Sequence, residues 1–195
     1  MITFIIPTYN NVKGLETVLR QLYQLCTLPY EVIVLFDTVD RSITNGIAVC
    51  TDEAYEDKIQ YLVFDSPSLP AKVNVAAHVA KHPILCVLND CIMLSKLNRG
   101  FDAAISERFK AYKDEILALY LCNKEETDND YRYPFISRRV IDIVGYLYHP
   151  LFAVPFLCER WYGDILDRIG RIEFLPDCPI TDNLEAPSTM IYNDE

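Results

Sequence analysis

The stretch Ile84-Leu85-Cys86-Val87-Leu88-Asn89-Asp90-Cys91-Ile92-Met93-Leu94 decides how the chain is read. Five apolar residues run straight into Asn89-Asp90, and apolar sequence then resumes. A short run of that composition fits a strand buried on both faces of a sheet. A carboxylate at its end falls where open α/β sheets place their ligands, at the carboxyl edge. Burying Asp90 without a partner is costly, so a cation or a set of donors is expected around it. The plainer alternative is an Asp that caps the following turn, because Asp and Asn favour turns on their own account.

Working outward, Thr3-Phe4-Ile5-Ile6 is a short apolar strand stopped by Pro7. A helix follows the loop Thr8-Tyr9-Asn10-Asn11, with Leu15, Val18, Leu19, Leu22 and Leu25 on one face. Asn10 or Asn11 supplies its N-cap, and Thr27-Leu28-Pro29 ends it. Glu31 to Phe36 is a second strand running into Asp37, and Ile59 to Phe64 is a third. Residues 41–54 read as helical but weakly patterned. After a Pro/Ser loop at 66–70, a helix from about Ala71 to Lys81 leads into the central strand. Strands alternating with helices of this length imply parallel pairing and right-handed crossovers.

The second half is less regular. A helix near 97–112 precedes a strand from Glu115 to Leu121, and 123–132 is a polar, acidic loop. Ser137 is an N-cap for a helix to about Tyr146, and a further helix covers about Cys158–Ile169, ending at Gly170. Arg171 to Leu175 is a last strand, and the tail from Pro176 has few core-forming residues. There is no internal repeat and no linker. The expected fold is therefore α/β, one Rossmann-like domain over 1–195 with a mostly parallel central sheet flanked by helices.

A formal net charge of −10 argues against nucleic acid or an anionic membrane as the main partner. Arg138, Arg139, Lys72 and Arg160 are the candidates for a local cationic pocket. No stretch approaches the roughly 18 uninterrupted apolar residues of a membrane span. Met1 to Pro7 has no basic region of the kind that opens a signal peptide. Seven cysteines without a C-x-x-C pair, most of them inside apolar runs, read as reduced thiols of a cytoplasmic protein. His78 and His82 stand four residues apart, but with no Glu beside them and no third ligand in sight they read as ordinary helix positions.

Three features fall at the carboxyl ends of successive strands: Pro7-Thr8-Tyr9-Asn10, Asp37 and Asn89-Asp90. In a parallel sheet these ends share one edge and converge on one crevice. An aromatic and two carboxylates suit a nucleoside diphosphate: Tyr9 to stack on the base, Asp37 to accept from a base N–H, Asp90 to hold a divalent cation on the phosphates. Neither G-x-G-x-x-G nor G-x-x-x-x-G-K-[ST] occurs, so a nest of backbone amides is not expected to hold the diphosphate.

With these motifs in this order, the chain resembles the family-2 nucleotide-sugar glycosyltransferases of GT-A fold. Ile5-Ile6-Pro7-Thr8-Tyr9-Asn10, Val32-Ile33-Val34-Leu35-Phe36-Asp37 and Leu88-Asn89-Asp90 carry the resemblance, which covers roughly residues 2–95. It implies a nucleotide-binding half (1–95) and an acceptor-binding half (96–195). It places Pro7, Thr8, Tyr9, Asp37, Lys72, Asn74 and Asn89 around the nucleotide. Asp90 becomes the ligand to Mn²⁺ or Mg²⁺, with Asp182 standing in for a further metal contact. Glu159, where the family has an acidic pair ahead of a helix, becomes the general base, with Asp164 as its rival. The sequence departs from the family at position 91, which is Cys rather than Asp, and in the loop Thr38-Val39-Asp40-Arg41-Ser42.

The implied function is transfer of a sugar from a nucleoside diphosphate sugar, UDP favoured, to an acceptor hydroxyl, inverting and divalent-metal dependent. A nucleotide-sugar-binding protein without turnover is the alternative, motivated by Cys91. A sugar nucleotidyltransferase is less favoured, because Pro7-Thr8-Tyr9-Asn10-Asn11 is not a Gly-rich basic loop.

Overall fold

The computed structural model describes residues 1–55, 57–66, 68–95, 98–121, 131–152, 154–175 and 180–182. Its first half runs β1 (Ile2–Pro7), α1 (Val12–Leu25), β2 (Tyr30–Asp37), α2 (Ile43–Cys50), a 3₁₀ turn (Glu53–Tyr55), β3 (Ile59–Phe64), α3 (Leu69–Val79) and β4 (Ile84–Val87). There follow β5 (Ile92–Leu94), α4 (Phe101–Lys110), β6 (Ala118–Leu121), β7 (Phe135–Ser137), α5 (Arg138–Val144), α6 (Pro155–Asp167), β8 (Ile172–Leu175) and β9 (Ile180–Asp182). The acidic run 125–130, Cys122, Cys178 and the tail beyond 182 lie outside the described residues.

Seven strands form one sheet in the order β3-β2-β1-β4-β7-β6-β8, and β5 and β9 form a separate antiparallel ribbon. Within the sheet β7 runs antiparallel to both its neighbours, and the other described pairings are parallel. The architecture is thus the α/β sheet that the alternation predicts. Its central strands bury both faces, with side chains dividing by the period of two. Phe4, Ile6, Val32, Val34, Cys86 and Leu88 enter one core beside α1 and α4. Ile5, Ile33, Leu35, Leu85 and Val87 enter the other beside α3, α5 and α6. That is why the strands read as unbroken apolar runs rather than alternating ones.

The order of the strands makes the site. From β1 the chain crosses to β2 and β3 on one side, then returns to place β4 on the other. The strand order therefore reverses between β1 and β4, and the crevice of such a sheet opens outside the carboxyl ends at that point.

Several elements differ from the sequence reading, each for a local reason. Strand β7 was not anticipated: it has three residues, and its last, Ser137, also caps α5 by accepting from the Val140 amide at 3.3 Å. Helix α6 starts at Pro155, not near Cys158, because Pro is suited to the first helical turn. Strand β6 starts at Ala118 rather than Glu115, which has a positive φ of 56° and turns the chain into the sheet. Arg138 is no phosphate contact. Its guanidinium donates to the carbonyls of Ala77, Ala80 and His82. These close the C-terminal end of α3, at the edge opposite the crevice. His82 lies just past that helix, and burial lowers its pKa.

Among the described residues Cys26, Cys50, Cys86, Cys91 and Cys158 are free thiols. Burial pushes the Cys158 thiol up to about 11 and Cys50 up to about 12. No described helix is long and apolar enough to cross a membrane.

Buried Asp102 in α4 fixes the turn between α1 and β2. Its carboxylate accepts from the Thr27 amide at 2.9 Å and the Leu28 amide at 2.6 Å. Asp102→Ala leaves both amides without their acceptor and is expected to cost about 3 kcal/mol. Urea unfolding of the variant against wild type checks this.

Candidate functional site at the carboxyl edge

Pro7 ends β1, and the Thr8 amide extends the ladder by donating to the Leu35 carbonyl at 3.0 Å. Thr8 then turns its hydroxyl across the switch point, donating to Asp90 Oδ2 at 2.8 Å. Asp90 is 3% exposed, and its carbonyl receives the Asn11 side-chain amide at 3.3 Å. Asn11 in turn caps α1, its Oδ1 accepting from the Gly14 amide at 3.1 Å. Gly14 is glycine because a Cβ there would run into the Asp90 carbonyl oxygen and the Asn11 amide nitrogen. The end of β4 and the β1–α1 turn are thereby locked together.

A second carboxylate holds the other side of the same turn. Buried Asp40 accepts from the Asn10 amide at 3.1 Å through Oδ2, and from the Ser42 amide and hydroxyl at 2.6 and 2.7 Å through Oδ1. Asn10 takes the positive φ of 52° that this turn requires, a conformation Asn tolerates better than most residues. The signal for Asp40 was present in Asp40-Arg41-Ser42, an Asp followed two residues on by Ser as in an Asx turn. Its long-range bond to Asn10 could not be read from spacing.

Asp37 and Lys72 come together as a pair. Lys72, in the first turn of α3 and 7% exposed, donates from Nζ to Asp37 Oδ1 at 2.6 Å. Among the described residues Asp37 Oδ2 receives no hydrogen bond, so this oxygen can accept from a ligand. Tyr9, two residues past the end of the neighbouring strand β1, is 36% exposed. Since β2 and β4 flank β1, the ends bearing Asp37 and Asp90 are about 10 Å apart. That span suits a nucleoside at one side and its diphosphate at the other.

Other sequence candidates are placed differently. Asn89 donates to the Tyr133 hydroxyl at 3.0 Å and borders the crevice. Asn74 is bound to backbone: its Oδ1 accepts from the Leu147 and Tyr148 amides at 2.8 and 2.9 Å, and its Nδ2 donates to the Tyr148 carbonyl at 2.8 Å. It bolts the 147–148 segment to α3. Glu159 stands in the second turn of α6, not ahead of a helix, and is 4% exposed. Its Oε1 receives the Tyr148 hydroxyl at 3.1 Å and its carbonyl the Tyr120 hydroxyl at 3.0 Å. Burial raises the Tyr120 pKa well above its ordinary value, with Glu159 adding to the effect. Asp164 is exposed and lies 4.0 Å from Arg160, a surface pair worth little. Because α6 descends from the carboxyl edge into β8, Asp164 lies about 13 Å along it from Pro155. Glu159 is thus enclosed by two tyrosines, whereas Asp164 faces solvent. Asp182 is paired by its backbone with Ile92, which returns the chain beside the Asn89-Asp90-Cys91 segment.

No model of a protein family matches the sequence, and no curated protein matches it significantly. Solved structures do match. A mannosyltransferase from Pyrobaculum calidifontis, in complex with GDP-Man and Mn²⁺, aligns with a TM-score of 0.75 at 13% identity over 96% of this chain and 58% of its own. S. aureus TarS aligns with a TM-score of 0.71 at 13% identity, over 92% of this chain and 36% of its own. Glucosyl-3-phosphoglycerate synthase from Mycobacterium tuberculosis, with Mg²⁺ and UDP, aligns with a TM-score of 0.64 at 12% identity, over 93% of this chain and 71% of its own. The chain has the GT-A fold of these glycosyltransferases. It spans little more than a third of TarS and somewhat over half of the mannosyltransferase.

Two of these neighbours are described with a divalent cation, so the donors here bear comparison. No group of three or more His, Cys, Asp or Glu is placed to hold a metal ion among the described residues. Asp90 has one oxygen taken by Thr8, and the next residue, Cys91, offers sulfur where Mg²⁺ and Mn²⁺ prefer oxygen. Of the three side chains in Asn89-Asp90-Cys91, the Asp90 carboxylate is the anionic oxygen donor of the kind such a cation takes, with phosphate oxygens and waters to complete its shell.

Gly14→Ala tests the lock directly. Alanine gains about 1 kcal/mol in helix propensity over glycine, yet the added Cβ forces the Asp90 carbonyl away from Asn11. The expected result is a net loss of about 2 kcal/mol in chemical unfolding, opposite in sign to the propensity effect.

Proposed function

We propose that the chain is a glycosyltransferase that takes a nucleoside diphosphate sugar, a UDP-sugar in preference, and passes the sugar to an acceptor hydroxyl. The Asp37–Lys72 pair beside Tyr9, at the switch point of a GT-A sheet, carries this reading. Asp37 Oδ2 accepts from the N3–H of uracil, as it would from N1–H of guanine, and Tyr9 covers the face of the base. Lys72 contributes positive charge to the nucleotide side of the crevice.

Transfer proceeds in this reading by one in-line displacement. The acceptor oxygen bonds to the anomeric carbon while that carbon's bond to the diphosphate oxygen breaks. The bonding electrons leave with the diphosphate, the hydroxyl proton passes to a carboxylate, and the anomeric centre inverts. Glu159 and Asp164 are the sequence candidates for that carboxylate. Glu159 is the nearer to the carboxyl edge, but Tyr148 encloses it. The same enclosure supports a second reading, a protein that binds a nucleotide sugar without turning it over.

Calorimetric titration with UDP and GDP tests the binding half. Lys72→Met and Asp37→Asn are each expected to weaken the bound nucleotide about tenfold, or about 1.4 kcal/mol. Unaltered affinity in both variants contradicts the site. Release of UDP from UDP-sugars in the presence of saccharide acceptors separates the transferase from the silent binder.

A further inference from the structure

We propose that the turn at Leu151 and the first turn of α6 form a tip by which the molecule docks on a lipid bilayer. Docking does not depend on the nucleotide reading above and goes beyond it.

Ile143 to Cys158 is the longest run in the chain without Asp, Glu, Lys or Arg. The next longest, Met1 to Val12, is built around the buried strand β1. Here, by contrast, apolar side chains face outward. Leu151 is 84% exposed, and Val154, Phe156 and Leu157 are 43%, 45% and 45% exposed. Leu151 is held at the tip of a turn in which Pro150 takes the second position. The Phe152 amide donates to the His149 carbonyl at 3.0 Å, and the Leu151 amide to His149 Nδ1 at 3.2 Å. Turn tips ordinarily go to Gly, Asn, Asp or Ser, so a leucine there calls for a cover. The base of the turn is rigid. His149 stacks on Phe152 with ring centres 4.5 Å apart and lies 5.6 Å from Trp161, and Asn74 pins the preceding Leu147 and Tyr148.

Composition is layered along α6. Phe156 and Leu157 are in its first turn, Arg160 and Trp161 one turn below them, and Asp164 lower still. A helix whose end enters a bilayer takes this order: apolar side chains in the hydrocarbon, Trp and Arg at the headgroups, carboxylates in water. A second copy of the chain is a poorer occupant. Four exposed apolar side chains fall far short of the roughly 20 residues a side of a stable protein interface, and each copy carries a net charge of −10. Apolar insertion into a zwitterionic surface needs no cationic patch and tolerates that charge. Because α6 descends from the carboxyl edge, the tip stands at the edge where the crevice opens, and docking turns that edge to the bilayer.

Trp161 is the single tryptophan of the chain, so its fluorescence reports on the tip directly. The test titrates the whole chain with phosphatidylcholine vesicles and reads that emission together with the fraction of protein that floats with the vesicles. The expected result is a blue shift and co-flotation. Leu151→Ser and Phe156→Ser are each expected to weaken partition about tenfold at an unaltered unfolding midpoint. Absence of flotation, or equal partition by wild type and both variants, overturns the inference. So does self-association of wild type without vesicles that both substitutions abolish, which assigns the tip to a second copy. UDP binding measured on the same samples decides the nucleotide reading separately.

Discussion

Carboxylates buried at strand ends must find donors, and the crevice of this molecule is shaped by how two of them do so. Asp90, at the end of β4, takes the Thr8 hydroxyl from the far side of the switch point. Asp40, beyond β2, takes the Asn10 amide. The β1–α1 turn is therefore held from both sides by chain segments 30 and about 80 residues away in sequence. Neither bond is a local turn preference. Each fixes the height at which the first helix leaves the sheet, and with it the position of Tyr9.

The same constraint explains which chemistry the site keeps. With both Asp40 oxygens and Asp90 Oδ2 engaged by the loops, Asp37 keeps Oδ2 toward a ligand, and Lys72 is the cation beside it. Polar groups that look functional in a one-dimensional string are divided between holding the loops and facing the crevice. Asn74 shows the division most clearly. It lies two residues from Lys72 on the same helix, yet it spends both ends of its amide on the backbone of Leu147 and Tyr148.

Much of the first half was legible in the sequence because its signals are local and strong. The buried strands are continuous apolar runs, α1 shows its inward face at helical spacing, and Asn11 is a recognisable cap. From the strand alternation alone, Asp37 and Asp90 fall on one edge. What escaped depends on tertiary partners or on very short elements. Strand β7 is three residues long and is defined by lying between β4 and β6. The β5–β9 ribbon joins residues nearly ninety positions apart. Glu159 was read as an acid ahead of a helix, but α6 begins at Pro155 and sets it in the second turn, buried against Tyr148. Asp90 was located correctly on the sheet edge, but its bond to the Thr8 hydroxyl, 82 residues away, was a property of the fold.

The central claim is that the nucleotide lies across the ends of β1, β2 and β4. The measurement that tests it most directly is a crystal structure of the chain soaked with UDP. The account predicts the base against Tyr9 with its N3–H on Asp37. A nucleotide bound elsewhere would contradict it.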